Sequence, residues 1–279
     1  MGTDASVFLA EGDHFTPTEH ARGPWDPRAL HGGAPAALLT SVFERMEPGS
    51  ELSLARLCFE FLRPVPLAPL RLSTQIVRAG RRVQELSGEL WTASGPGGAG
   101  GDELVCRATA LRVQTVPAEL PAGASPSEET SAVDISAPMA PPEAGTAVRF
   151  TLDGSGGASF AASAMEMRWL SEPRALGPGR VWMRLQCPLL PGEPLTPLAR
   201  LAATADFGNG VSAALPFERF LFINADLTIH LYRPPRGEWI GLDARTLLHP
   251  GGTGVAESVV HDTAGPVGRA FQTLVVQAR

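Results

Sequence analysis

The segment Asn224–Pro234, NADLTIHLYRP, repeats an earlier one, Leu54–Pro64, LARLCFEFLRP, without a gap. Ala55 falls on Ala225, Leu57 on Leu227, Phe59 on Ile229, Phe61 on Leu231, and Arg63-Pro64 on Arg233-Pro234. In the later copy Leu227, Ile229 and Leu231 alternate with Asp226, Thr228 and His230, the two-residue period of a half-buried strand. Repetition of a strand this far along the chain requires two similar units. One position differs in kind: Arg56 in the first copy faces Asp226 in the second.

The elements around the repeat follow the same order twice. His31–Met46, HGGAPAALLTSVFERM, opens with glycines and a proline and then sets Leu38, Leu39, Val42, Phe43 and Met46 on one helical face. Leu195–Gly210 repeats the pattern, with Thr196 as N-cap, Pro197 at the first helical position, and Gly208 or Gly210 at the end. After the first helix come strand-like runs at Ala55–Leu62, Leu70–Arg78, Val83–Thr92 and Leu104–Gln114. After the second they lie at Asp226–Tyr232, Trp239–Leu248, Gly254–His261 and Gly268–Gln277, with turn residues between. Two more strands, Ala164–Leu170 and Val181–Cys187, precede the second helix. Each unit is then one apolar helix followed by an antiparallel meander. A helix this apolar has to be wrapped by its sheet. The fold expected is α+β, a double hotdog: an N-terminal hotdog over residues 1–114, a Pro/Ala/Ser-rich linker over 115–146, and a C-terminal hotdog over 147–279.

Composition removes several functions. The net charge is −6 with no basic run, which argues against nucleic acid as a partner. All 23 basic residues are arginine, so a P-loop lysine and a Schiff-base lysine are excluded. The three cysteines, Cys58, Cys106 and Cys187, form neither a disulfide framework nor a zinc motif, and a reducing cytoplasm is expected. The histidines show no metal-binding spacing, and no apolar run reaches the ~18–20 residues of a membrane span. Neither metal nor cofactor is expected.

With these residues in place the chain resembles the acyl-CoA thioesterase II family and its thioesterase-like relatives. The likeness is carried by HGGAPAALL, the repeated RP strands, ADFGNG, NADLTIHLYRP, GEWIGLDART and GRAFQTLVVQ, which together span most of the chain outside the linker. The resemblance implies a lipid-metabolic enzyme that hydrolyses acyl-CoA with water held between an Asp, a Thr or Ser, and a Gln of the second hotdog. Carried over residue by residue, these are Asp226, Thr246 and Gln272. The backbone at the entry of the first helix, His31, Gly32, Gly33 and Ala34, would bind substrate and face the oxyanion. Arg81-Arg82 is one candidate pair for the CoA phosphates. A homodimer is expected by analogy. The chain departs from a second thioesterase group in having Thr40, not a carboxylate, nine residues after His31.

Other readings have their own requirements. A scaffold that binds acyl-CoA or a lipid-like ligand without cleaving it needs none of the three site residues. A hydratase would want a histidine–carboxylate pair across the two helices, and the second helix supplies Asp206 but no histidine. GVSAA, Gly210–Ala214, resembles a serine nucleophile elbow but lacks the strand before it and the helix after it.

Overall fold

The structure is a computed structural model that describes residues 6–47, 49–92, 102–117, 119, 139–149 and 157–279. The first half holds β1 (Phe8–Glu11), β2 (His14–Pro17), α1 (Gly33–Arg45), β3 (Leu52–Phe61), β4 (Leu70–Ala79), β5 (Val83–Thr92) and β6 (Leu104–Gln114). The second holds β7 (Thr146–Ala147), β8 (Met165–Trp169), β9 (Gly179–Leu185), α2 (Pro197–Ala205), α3 (Gly208–Val211), β10 (Phe220–Asn224), β11 (Asp226–Leu231), β12 (Ile240–His249), β13 (Thr253–Asp262) and β14 (Gly265–Ala278). Most of the Pro/Ala/Ser-rich linker, residues 118 and 120–138, lies outside the described residues.

The strands form one antiparallel sheet in the order β1-β2-β4-β5-β6-β3-β11-β14-β13-β12-β9-β8-β7, with β10 also paired to β14. The fold is a double hotdog. The repeated segments are its centre, because β3 and β11 pair directly with each other. Leu57 lies opposite Ile229 and Phe59 opposite Leu227. These two pairs exchange under the sequence repeat, so the junction is self-complementary in the way of a two-fold dimer interface. All four side chains point inward and are fully buried.

Both helices are enclosed. Gly33–Thr40 of α1 is buried on every side, and an all-round apolar helix belongs in an interior. The buried Thr40 hydroxyl donates to Ala36 O at 2.7 Å within its own helix. Buried Arg112 donates to the carbonyls of Phe43 and Met46, supplying the C-terminal turn of α1 with partners and a favourable charge. Thr196 caps α2 by accepting from Ala199 N at 3.1 Å, and its hydroxyl also donates to Glu44 of α1. Burial pushes the Glu44 carboxyl above its ordinary range.

The helices touch where Gly33 meets α2, and a Cβ on Gly33 would stand 2.4 Å from Ala203 O. Backbone cannot give way there as a flexible side chain would. Gly33→Ala is therefore expected to lower stability by about 1–3 kcal/mol, read from urea unfolding. An unchanged midpoint would contradict this packing.

Candidate active site

The second helix ends one residue before Asp206, which caps α2 in a helical conformation. Phe207 follows, and a separate helical turn, α3, starts at Gly208. This break leaves the Asp206 side chain between the two helices, where it is 3% exposed. A carboxylate so deeply buried has to be hydrogen-bonded. Its Oδ1 accepts from Asn224 Nδ2 at 2.8 Å and from Gln272 Nε2 at 3.3 Å. Its Oδ2 stands 3.0 Å from His31 Nδ1.

The orientation of Gln272 is fixed by its neighbours. Its Oε1 accepts from Asn209 N at 2.9 Å, so its Nε2 must face Asp206, where it also donates to the backbone carbonyl at 3.0 Å. Gly208 makes room for this: a Cβ there would sit 2.8 Å from Gln272 Oε1. Asn224 is equally determined, since its Nδ2 also donates to Asp226 O at 3.2 Å. Asn224 reaches the interior through a bulge. It lies opposite Leu274, whereas Thr228 lies opposite Phe271, so the ladder slips by one residue around Ala225. Bulges of this kind re-aim side chains beside sites.

His31 comes from the other half, at the entry to α1. Its ring stacks on Phe207 with centroids 4.1 Å apart. Two groups reach Nδ1: Asp206 Oδ2 and, at 3.0 Å, the Gly33 amide. The amide needs a lone pair on Nδ1 and the carboxylate needs a proton there, so one of the two bonds forms at a time. Nε2 has no partner among the described residues and is not sealed from solvent.

His31, Asp206 and Asn224 open on a cavity of about 490 Å³ with mostly apolar walls. Trp25 and Phe217 stack with centroids 5.4 Å apart on one side, and Phe61 and Phe207 contribute others. Leu62, Ile223 and Val275 form an exposed apolar rim. Of the four residues expected at the helix entry, His31 and Gly32 line the cavity. Gly33 and Ala34 are buried behind it, and the Ala34 amide donates to His31 O at 3.0 Å. A Cβ on Gly32 would lie 2.8 Å from both Asp206 Oδ2 and Phe61.

The expected trio does not assemble. Asp226 lies on the outer face of the sheet with Thr228 and His230, because Leu227 and Ile229 take the inner face. Its Oδ1 accepts from Thr273 N at 2.6 Å. Thr246 faces inward, but Ala256 on β13 stands between it and Gln272, placing it two strands away, about 10 Å. Its hydroxyl bonds Ser212 Oγ at 2.8 Å. Gln272 meets a different carboxylate, Asp206, and a different neutral partner, Asn224. The histidine that a pair across the helices requires is His31, from the entry of the first.

Two side chains that could form a covalent intermediate are disarmed. Ser212 of GVSAA is fully buried and donates to Gly208 O at 2.8 Å. Cys106 is fully buried, and burial, with the charge of Asp206 after it, pushes its thiol well above the ordinary range. No cluster of metal-ligating residues occurs among the described residues. Arg81-Arg82 follows β4, and its neighbour Val83 pairs at the Leu52 end of the β3–β6 ladder. The cavity opens at the Phe61 end, about 30 Å away along β3. Arg63 is the arginine on the cavity wall, paired with Glu103 at 2.6 Å.

Residues 21–113 match the family described as acyl-CoA thioesterase N-terminal domain, and residues 134–276 match the acyl-CoA thioesterase C-terminal domain. The chain belongs to the acyl-CoA thioesterase family. Among solved structures, acyl-CoA thioesterase II of Mycobacterium marinum superposes with a TM-score of 0.61 at 16% identity, covering 96% of this chain and 94% of that one. A hot dog protein of Alicyclobacillus acidocaldarius superposes at 0.67 and 18% identity, covering 99% and 97%. A sequence comparison with curated proteins finds no match. These thioesterase domains support thioester hydrolysis in general and acyl-CoA as the substrate. No helix of the described residues is long and apolar enough to cross a membrane.

Gln272→Leu would leave the Asn209 amide and one lone pair of Asp206 without partners. It is expected to destabilise the protein by about 1–3 kcal/mol in urea unfolding. An unchanged or raised midpoint would show that Gln272 is not what orders the carboxylate.

Proposed function

We propose that the protein hydrolyses acyl-CoA thioesters to the free acid and CoA by direct attack of water, with the His31–Asp206 pair as the base. The observation that carries this reading is His31 Nδ1 standing 3.0 Å from a buried carboxylate, with Nε2 on the apolar cavity and without a partner among the described residues. With the proton on Nδ1, donated to Asp206 Oδ2, Nε2 holds a lone pair. It takes a proton from water, and the resulting hydroxide attacks the thioester carbon. The carbonyl oxygen gathers charge at the N-terminal end of α1, where Gly32 lets it approach closely and the backbone amide and helix dipole stabilise it. One such donor is worth roughly 3 kcal/mol. Collapse expels the CoA thiolate, which recovers its proton from His31. Gln272 and Asn224 act as positioning residues, holding Asp206 in the rotamer that orients the ring. No cofactor takes part.

The acyl group occupies the apolar cavity and pantetheine leaves over the rim of Leu62, Ile223 and Val275. The free thiols at Cys58, Cys106 and Cys187 suit a reducing cytoplasm. Purified protein mixed with acyl-CoAs of graded chain length is expected to release thiol. Asp206→Asn should lower kcat by at least ~10²-fold with the fold intact by circular dichroism. Binding of acyl-CoA without thiol release would make the protein a ligand carrier, and a full rate in the Asp206→Asn variant would remove Asp206 from the mechanism.

The homodimer belongs to this proposal as well. Leu247 and Val255 are cross-strand neighbours on the outer face of β12 and β13, exposed by 61% and 42%. A second copy covering this patch would remove it from water. Sedimentation equilibrium should give twice the chain mass, falling toward one chain mass with Leu247→Glu. A wild-type monomer would contradict the dimer.

A further inference from the structure

Beyond the rim of the cavity, the ribbon of β10 and β14 changes in character step by step. Its outward residues meet as Ile223 with Val275 and Leu221 with Gln277. Arg219 and Arg279 stand opposite each other next, where the Arg279 amide donates to Arg219 O at 3.0 Å. Phe222 and Leu274 take the other face and are buried. Leu221, Ile223 and Val275 also line the cavity. A path outward along the ribbon therefore runs from apolar side chains, past a leucine beside an amide, to two guanidiniums. As it stands the arginine pair is unfavourable, because like charges directly opposite destabilise a ladder. Both arginines are exposed, and neither has a carboxylate partner among the described residues. Glu218, the neighbouring acid in the chain, pairs with neither. The Arg219 guanidinium lies 5.9 Å from the Phe220 ring, and that of Arg279 lies 6.0 Å from the ring of Trp25, a wall of the cavity.

We propose that Arg219 and Arg279 bind the phosphates of coenzyme A, with the pantetheine arm laid along the β10–β14 ribbon between them and the reacting centre. This rests on the hydrolase reading for the position of the thioester. The lengths agree. Asn224, which follows Ile223, donates to Asp206 beside His31. From Asn224 to Arg219 is five residues, about 17 Å along a strand. Pantetheine has about thirteen bonds between its sulfur and the first phosphorus, and an extended chain of that many bonds reaches about 15 Å. The chemistry agrees as well. The two methyl groups of the arm lie close to its phosphate end, where Leu221 precedes the arginines. Gln277 offers an amide to the amides of the arm. Guanidinium forks match phosphate oxygens in pairs, and an anion between the two arginines removes their repulsion. An acyl group borne on a carrier protein brings a single phosphodiester. Coenzyme A brings a diphosphate and a 3′-phosphate, enough anion for both guanidiniums.

The test uses the full chain and the double variant Arg219→Ala with Arg279→Ala, in which both changes are exposed. Thiol release is measured from butanoyl-CoA and from butanoyl-pantetheine, which keeps the thioester and the arm and lacks every phosphate. The variant is expected to raise KM for butanoyl-CoA at least ~10-fold more than KM for butanoyl-pantetheine. Calorimetric titration with desulfo-CoA, which needs no turnover, should show at least ~10-fold weaker binding to the variant at low salt, and a smaller difference at high salt. Weaker desulfo-CoA binding to the variant, with no thiol release from either thioester by the wild type, would uphold this inference and overturn the hydrolase. Thiol release with an equal change in KM for the two thioesters would overturn this inference and leave the hydrolase standing, as would an unchanged desulfo-CoA affinity in an active enzyme. Butanoyl-phosphopantetheine matching butanoyl-CoA in KM would overturn coenzyme A as the ligand in favour of a carrier-borne arm. Neither desulfo-CoA binding nor thiol release would overturn both readings.

Discussion

One buried carboxylate sets the terms for the middle of this molecule. Asp206 sits at the C-terminal end of α2, where the helix dipole is negative and an anion is unfavourable. It is almost wholly removed from water. Such a group survives only if donors surround it, and here they come from three directions: a bulged strand supplies Asn224, the last strand supplies Gln272, and the opposite half supplies His31. The break between α2 and α3, the bulge at Ala225 and the glycines at 32 and 208 each make sense as conditions for that arrangement. A Cβ at either glycine would stand 2.8 Å from the carboxylate or from the glutamine that holds it.

The two halves are alike in architecture and unequal in chemistry. The β3–β11 pairing treats them as equals, with Leu57, Phe59, Leu227 and Ile229 meeting across a local two-fold. The site ignores that symmetry. The second half gives the carboxylate and both amides, and the first gives the imidazole and a glycine that lets the backbone come close. A single hotdog unit would hold only one member of the His31–Asp206 pair, so the tandem arrangement is what brings the two together.

Much of the architecture is legible because it rests on periodicity. The strands Val83–Thr92 and Leu104–Gln114 have the bounds their alternation predicts, and Thr196 and Pro197 open α2 as capping chemistry requires. Short elements escape: β1 and β2 are four residues each, too few to show a period, and β10 is hidden by running almost directly into β11. Gln272 stands out as a polar residue in an apolar strand. Asp226 misleads for a reason visible in its own strand. With Leu227 and Ile229 facing inward, alternation sends Asp226 outward. Asn224 would share that fate but for the bulge, which no pattern in the sequence announces. Asp206 does carry a signal, a carboxylate on the wrong end of a helix dipole, but a C-terminal Asp also reads as a simple helix stop. The His31–Asp206 pair spans the two halves, and nothing local in the chain reports such a contact.

Everything proposed for this site depends on where the reacting carbonyl lies. The most direct measurement is a crystal structure with an acyl-CoA analogue in which a methylene replaces the thioester sulfur, so that the carbonyl is kept and cannot be cleaved. The acyl group is expected in the cavity lined by Trp25 and Phe217, with the carbonyl carbon within about 4 Å of His31 Nε2 and its oxygen at the Gly32 backbone. An analogue bound with its carbonyl on the outer face beside Asp226, or with CoA seated so that the carbonyl never reaches His31 and Asp206, would contradict that placement and the chemistry built on it.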